Sequence, residues 1–176
     1  MKIKVIETEY KGYKFRSRLE ARWAVFFDEI GVTWEYEKEG YDLDGDWYLP
    51  DFFVHEWNCF IEVKGDPMQL KDGLDKCMRL SKMINKWCFV LYGSPDHTMY
   101  QMIIPSTDHE FDVYSGADNP HKILQCRRCS GHWYCHIECL SYGEMGDCKH
   151  GCTSEKVPYL SEKLLNAHNK AKSYRF

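Results

Sequence analysis

Leu49-Pro50-Asp51 and, eleven positions after the aspartate, Glu62-Val63-Lys64 decide how this chain is read. On a strand, a period of two puts Glu62 and Lys64 on one face. Asp51 reaches the same face if its strand pairs antiparallel with that of Glu62, as a hairpin requires. Two converged carboxylates repel unless a cation sits between them, and hard oxygen ligands select Mg²⁺ or Mn²⁺. A lysine beside such an ion can hold or deprotonate an attacking water. The ion itself would offset charge on a phosphodiester and assist its leaving oxygen. The blander alternatives are a turn role for Asp51 after Pro50 and a surface ion pair between Glu62 and Lys64. Against the second, Glu62 lies in the apolar run Phe60-Ile61-Glu62-Val63, which reads as a central strand.

Outward from this motif the chain alternates in type. Met1 to Lys14 reads as a short strand or arm turning at Gly12. Ser17 and Glu20 stand in capping-box spacing and open a helix that runs to about Ile30, with Gly31 as its stop. Leu19, Trp23, Phe26, Phe27 and Ile30 give that helix a buried face. Glu20 shares the face of Trp23 and Phe27, so it is either the capping partner of Ser17 or a core-facing carboxylate that needs a partner of its own. Strands are predicted at Trp34–Lys38, Tyr48–His55 and Cys59–Val63, with a turn at Asp44-Gly45-Asp46. A second helix is predicted from about Met68 to Asn85, its apolar side supplied by Leu70, Leu74, Cys77, Met78 and Met83. Trp87–Tyr92 is a continuous apolar strand of the kind buried on both faces. Tyr100–Ile104 follows as a further strand, Ser115–Pro120 as a linker, and Tyr159 to about Tyr174 as a last helix. The core order is αβββαβ.

That order, together with Pro50-Asp51 and Glu62-Val63-Lys64, resembles the PD-(D/E)xK nuclease superfamily, the restriction-endonuclease-like fold. The family also carries a glutamate on its first helix, which falls on Glu20 in Phe15-Arg-Ser-Arg-Leu-Glu-Ala-Arg-Trp23. The segment looks most like small phage-encoded members, including those that end in a zinc module and a basic helix. The resemblance implies an α/β fold with a central mixed sheet. It implies Asp51 and Glu62 as Mg²⁺ or Mn²⁺ ligands, helped by the Val63 carbonyl, with Lys64 orienting the water. Glu20 would hold a second metal or order a water. Gln69, Lys76 and Arg79 on the second helix are further polar candidates that no spacing separates.

The cysteines divide in two. Cys59, Cys77 and Cys88 sit in apolar surroundings as small core residues. Cys126-Arg-Arg-Cys129 and Cys148-Lys-His-Gly-Cys152 form two knuckles with zinc-ribbon spacing, and four thiolates can order a short segment that lacks a core. Cys135, His136, Cys139 and His150 are alternative ligands, so one or two structural Zn²⁺ ions fit. The expected organisation is a nuclease core at 1–118, a zinc-binding module at 119–157 and a basic helix at 158–176.

Charge follows the same division. Of 23 basic and 27 acidic residues, 14 and 22 fall in 1–120 and 9 and 5 in 121–176, so an acidic body carries a basic tail. Arg16, Arg18 and Arg22, the knuckle residues Arg127 and Arg128, and Lys170 and Lys172 are candidates to meet nucleic-acid phosphates; solvated surface cations are the plain alternative. The 44% hydrophobic and 15% aromatic content argues against intrinsic disorder, and no window reads as a membrane span. Met1–Tyr10 has no signal-peptide apolar region, so a cytoplasmic location is expected, in host cytoplasm for a phage protein. The expected function is a metal-dependent deoxyribonuclease, with DNA as partner, RNA not excluded, no membrane, and a dimer open. The competing expectation is a catalytically silent, nuclease-like protein that binds nucleic acid or protein through its zinc module.

Overall fold

The computed structural model describes residues 6–65, 67–95, 99–104, 112–115, 122–125, 132–135 and 162–176. It is a mixed α/β fold, with three α-helices among the described residues and a mixed six-stranded central sheet. No helix among them is long and apolar enough to cross a membrane.

Two short hairpin strands, β1 (Thr8–Tyr10) and β2 (Tyr13–Phe15), lead into helix α1 (Arg18–Ile30). Its ends are those the sequence predicts. Ser17 is extended, and its Oγ accepts the Glu20 N–H at 3.2 Å. Gly31 adopts φ +78°, which a side chain would resist, and its N–H bonds the Phe27 and Asp28 carbonyls. Trp23, Phe26, Phe27 and Ile30 are buried.

β3 (Trp34–Tyr36) is followed by a hairpin of β4 (Tyr41–Leu43) and β5 (Asp46–Tyr48). Asp44 and Gly45 both have positive φ at its turn, the type I′ signature that suits strand twist. Then come β6 (Phe52–Val54) and β7 (Cys59–Lys64). The expected single strand over Tyr48–His55 is therefore two strands, broken at Leu49-Pro50-Asp51. Pro50 has no N–H to give a ladder, and the Asp51 side chain is turned to another use.

One 3₁₀ turn (Pro67–Gln69) precedes α2 (Leu70–Ile84), which ends at a left-handed Asn85. β8 (Trp87–Tyr92) falls where expected, followed by β9 (Met99–Ile104) and β10 (Asp112–Ser115). β10, which pairs with β9, has no counterpart in the sequence reading. Met83 is exposed rather than part of the apolar side of α2, and Leu80 is buried there instead. β11 (Lys122–Gln125) and β12 (His132–Cys135) pair as a separate hairpin, and α3 (Glu162–Ser173) is the last helix.

The sheet order is β10-β9-β8-β7-β6-β3, antiparallel throughout except for β7 and β8, which run parallel. Parallel neighbours need a crossover, and α2 provides it. Alternation then sorts the side chains. Phe52, Val54, Ile61, Val63, Phe89 and Leu91 meet α1 on one face. Phe53, Phe60, Cys88 and Val90 meet Leu80 and Cys77 of α2 on the other, with Leu43 and Tyr48 of the hairpin. The three cysteines read as core residues, Cys59, Cys77 and Cys88, are buried and free.

α3 packs on α1. Ala167 and Ala171 are buried in the α1-side core, Lys170 pairs with Glu29 at 2.6 Å, and the Tyr174 ring stands edge-on to Tyr10. Two alanines at this spacing let the helices approach closely. Ala167→Leu should overpack the contact, costing about 1–3 kcal/mol and lowering the melting temperature by several degrees. Lys170→Ala should change it little, since exposed ion pairs contribute little. An unshifted melting curve for Ala167→Leu would mean that α3 does not dock there.

Candidate active site

The β6–β7 pairing matches Phe52 with Ile61, so one step further along the same register Asp51 faces Glu62. This is the end of β7 at which the parallel strand β8 also finishes, with Lys64 opposite Tyr92. The Trp23 indole of α1 donates to the Gly93 carbonyl just beyond β8 at 3.0 Å, tying the start of α1 to the same end of the sheet. Glu20, Asp51 and Glu62 are all buried there.

Each of their six carboxylate oxygens accepts a hydrogen bond from the protein. Glu20 takes the Ser17 hydroxyl and the Tyr36 hydroxyl, both at 2.6 Å. Asp51 takes the Val63 backbone N–H at 2.7 Å and the Arg16 guanidinium at 2.5 Å. Glu62 takes the Tyr48 hydroxyl at 2.9 Å and the Lys64 ammonium. Arg16 also pairs with Glu37 at 2.8 Å, and its backbone N–H donates to the Tyr36 hydroxyl at 3.0 Å. A buried carboxylate is tolerated only when its lone pairs are met, and here all three are.

Three carboxylates face two cations, Arg16 and Lys64, so the ionised cluster carries a residual negative charge. The consequence falls on Asp51. Burial first, then the charges of Glu62 and Glu20, push its carboxyl well above the ordinary carboxylate range, against the pull of the Val63 N–H and Arg16. For Lys64, burial disfavours the ammonium, but Glu62 outweighs it and holds the group above its ordinary value. Tyr48 is raised strongly, by burial, by Cys77, whose sulfur lies 3.3 Å from its hydroxyl, and by Glu62.

The structure thus brings Glu20, Asp51, Glu62 and Lys64 into one cluster. Glu20 is neither of its two sequence alternatives alone: its N–H is capped by Ser17, and its buried side chain is held by Tyr36 and Ser17. The Val63 amide is engaged with Asp51. Arg16 holds Asp51 rather than pointing free toward a ligand, Arg18 is exposed on the first turn of α1, and Arg22 is half-buried with its Nε unpaired. Arg79 ties α2 to the hairpin through the Leu43 carbonyl and Asp46, and Lys76 pairs with Asp72, which accounts for both without a site role. Gln69 ends the 3₁₀ turn. Lys170 is paired with Glu29, and Lys172 is exposed on α3. Cys126, Arg127, Arg128, Cys129, His136, Cys139, Cys148, His150 and Cys152 lie outside the described residues, and Cys135 is described only as the end of β12.

Sequence reasoning missed Tyr36 and Tyr48. Neither carries a motif, and a tyrosine in an alternating strand looks like packing until its hydroxyl is seen on a carboxylate. The donor chemistry of the cluster, hard oxygens with net negative charge, suits a divalent cation, although no three His, Cys, Asp or Glu side chains form a ready metal-binding group among the described residues. No family model matches the chain, and no curated protein matches it significantly.

In the absence of an ion, raised Asp51 has a definite sign. Above the ordinary carboxylate value the unfolded chain releases this proton while the folded chain retains it. Asp51 therefore subtracts stability increasingly as pH rises from 3.8 toward its elevated folded value. A divalent ion binds the ionised form, so its stabilising effect grows in the same direction. Mg²⁺ at about a hundred times its dissociation constant adds about 2.7 kcal/mol, or about 5–10 °C in melting temperature for a chain of this size. The shift should be larger at pH 8 than at pH 5 and largely absent in Glu62→Gln. Identical melting curves with and without Mg²⁺ at pH 8 would dispose of the metal site.

Proposed function

We propose that this chain is a metal-dependent phosphodiesterase acting on DNA, an endonuclease built on a PD-(D/E)xK core. The observation that carries the reading is the gathering of Glu20 of α1, Asp51 of the break before β6, and Glu62 and Lys64 of β7 into one cluster at the end of β7, its three carboxylates buried. Structural ion pairs alone give little reason to bury a surplus carboxylate, whereas a cation-binding site requires one.

Asp51 and Glu62, with the Val63 carbonyl, would hold Mg²⁺ or Mn²⁺. When bound, such an ion offsets charge on the scissile phosphate and the leaving oxygen. Lys64, within reach of Glu62, holds and orients the attacking water as an ammonium, and its charge favours the hydroxide form of that water. Glu20, fixed by Ser17 and Tyr36, orders water or a second ion at the cluster's edge. Arg16 neutralises Asp51 while the ion is absent and lies at the exposed rim, where a phosphate would arrive.

A second reading has its own support. Every carboxylate oxygen is already met by a protein donor, which is also what a catalytically silent, nuclease-like binding protein would show. The two part on a cleavage assay. Labelled duplex, single-stranded, flap, four-way-junction and RNA substrates, each with Mg²⁺, Mn²⁺ or EDTA, should yield metal-dependent DNA products that vanish in Glu62→Ala. Tight binding with no product on any substrate would support the silent protein instead.

Zinc belongs to the proposal too, on the spacing of Cys126, Cys129, Cys148 and Cys152. Protein purified without chelator should contain about one or two Zn²⁺ per chain by atomic absorption, and Cys129→Ser should lower that content. A fully folded, zinc-free protein would remove this part of the assignment.

A further inference from the structure

Gly73 is buried in the first turn of α2, where glycine costs stability relative to alanine. Its backbone does not explain the choice, since its φ is not among the positive ones. The space around it does. A Cβ built at Gly73 would lie 2.9 Å from Lys64 Cε, 3.6 Å from Lys64 Cγ and 3.7 Å from Val90 Cγ1. The first distance is closer than two carbons approach without one of them moving. Val90, the register partner of Glu62, is buried and at 3.7 Å would be in ordinary contact, so the obstruction is the lysine. The end of that side chain can yield.

We propose that Gly73 is a positioning residue: its missing side chain is the trough that carries the Lys64 stem between α2 and Val90 and so delivers the ammonium to Glu62. The trough itself stands on geometry; its catalytic consequence rests on the phosphodiesterase reading. Helix α2 thereby becomes the part of the fold that aims the lysine, with a sacrifice of helix propensity at one position. Because the obstructed atom is the far end of a flexible chain, Gly73→Ala should be absorbed by displacement of Lys64 rather than by unfolding.

The test uses full-length protein labelled with ¹³Cε-lysine, the Lys64 resonance being identified by its loss in Lys64→Arg. Gly73→Ala should fold with an unchanged or raised melting temperature, by up to about 2–4 °C. The Lys64 resonance should move, and the cleavage rate should fall on the order of 10²-fold. The same substitution in Lys64→Ala protein should change the rate no further. An unmoved Lys64 resonance overturns the proposal, whatever the rate does. If the wild-type protein cleaves nothing, a moved resonance still upholds the trough while the phosphodiesterase reading fails. Should Gly73→Ala not fold, the double variant Gly73→Ala/Lys64→Ala decides. With Cε removed it should fold at least as stably as Lys64→Ala, and its failure would place the obstruction elsewhere and overturn the proposal.

Discussion

Asp51 Oδ2 accepts the Val63 backbone N–H at 2.7 Å, and much of the surrounding architecture follows from that bond. Pro50 ends the ladder of β6, so the chain entering the strand has no regular backbone bonds with which to hold itself against β7. The aspartate side chain supplies the missing connection. Once it does so, its carboxylate is buried beside Glu62 and must be countered, and Arg16 reaches over from the turn before α1 to counter it. Arg16 is in turn steadied by Glu37 and by the Tyr36 hydroxyl, whose own proton goes to Glu20. A single side-chain-to-backbone bond thus links the end of the sheet, the start of α1 and β3 into one polar network.

Such a network is costly to disturb. Removing Arg16 leaves the buried Asp51 carboxylate without its counter-charge, a loss lessened by the solvent that reaches the exposed guanidinium. The aromatic packing around it explains how the cost is carried. Phe15, Tyr36, Phe27 and Phe52 surround the α1 side with ring centroids 4.4–6.1 Å apart, and Phe53, Phe60 and Tyr41 close the α2 side. The apolar layers bury the three carboxylates, which strengthens the charge-assisted bonds they accept.

What the sequence showed plainly was whatever local periodicity and caps determine. Helix α1, with Ser17 and Gly31 at its ends, is legible because both residues act on the nearest turn. β7 and β8 are legible because buried strands read as apolar runs. The convergence of Asp51 with Glu62 was legible only through the assumption of a hairpin, which the antiparallel β6–β7 register satisfies. The break at Leu49-Pro50-Asp51 is hidden in the sequence because apolar residues, Tyr48-Leu49 and Phe52-Phe53-Val54, flank it closely on both sides. The bond from Arg16 to Asp51 is not legible, because a sequence displays the sign of a charge and not the identity of its counter-charge. Gly73 offered no signal, since its significance lies in an atom of Lys64 that only the packing brings alongside.

The chain leaves the central sheet at β10 and returns to the core at α3, whose Ala167 and Ala171 are sealed against α1. The chain between them is thus joined at both ends to the same core. The contact between α1 and α3 is therefore intramolecular, and a cut in the chain between Ser115 and Glu162 would turn it into a two-body association, weakened by dilution.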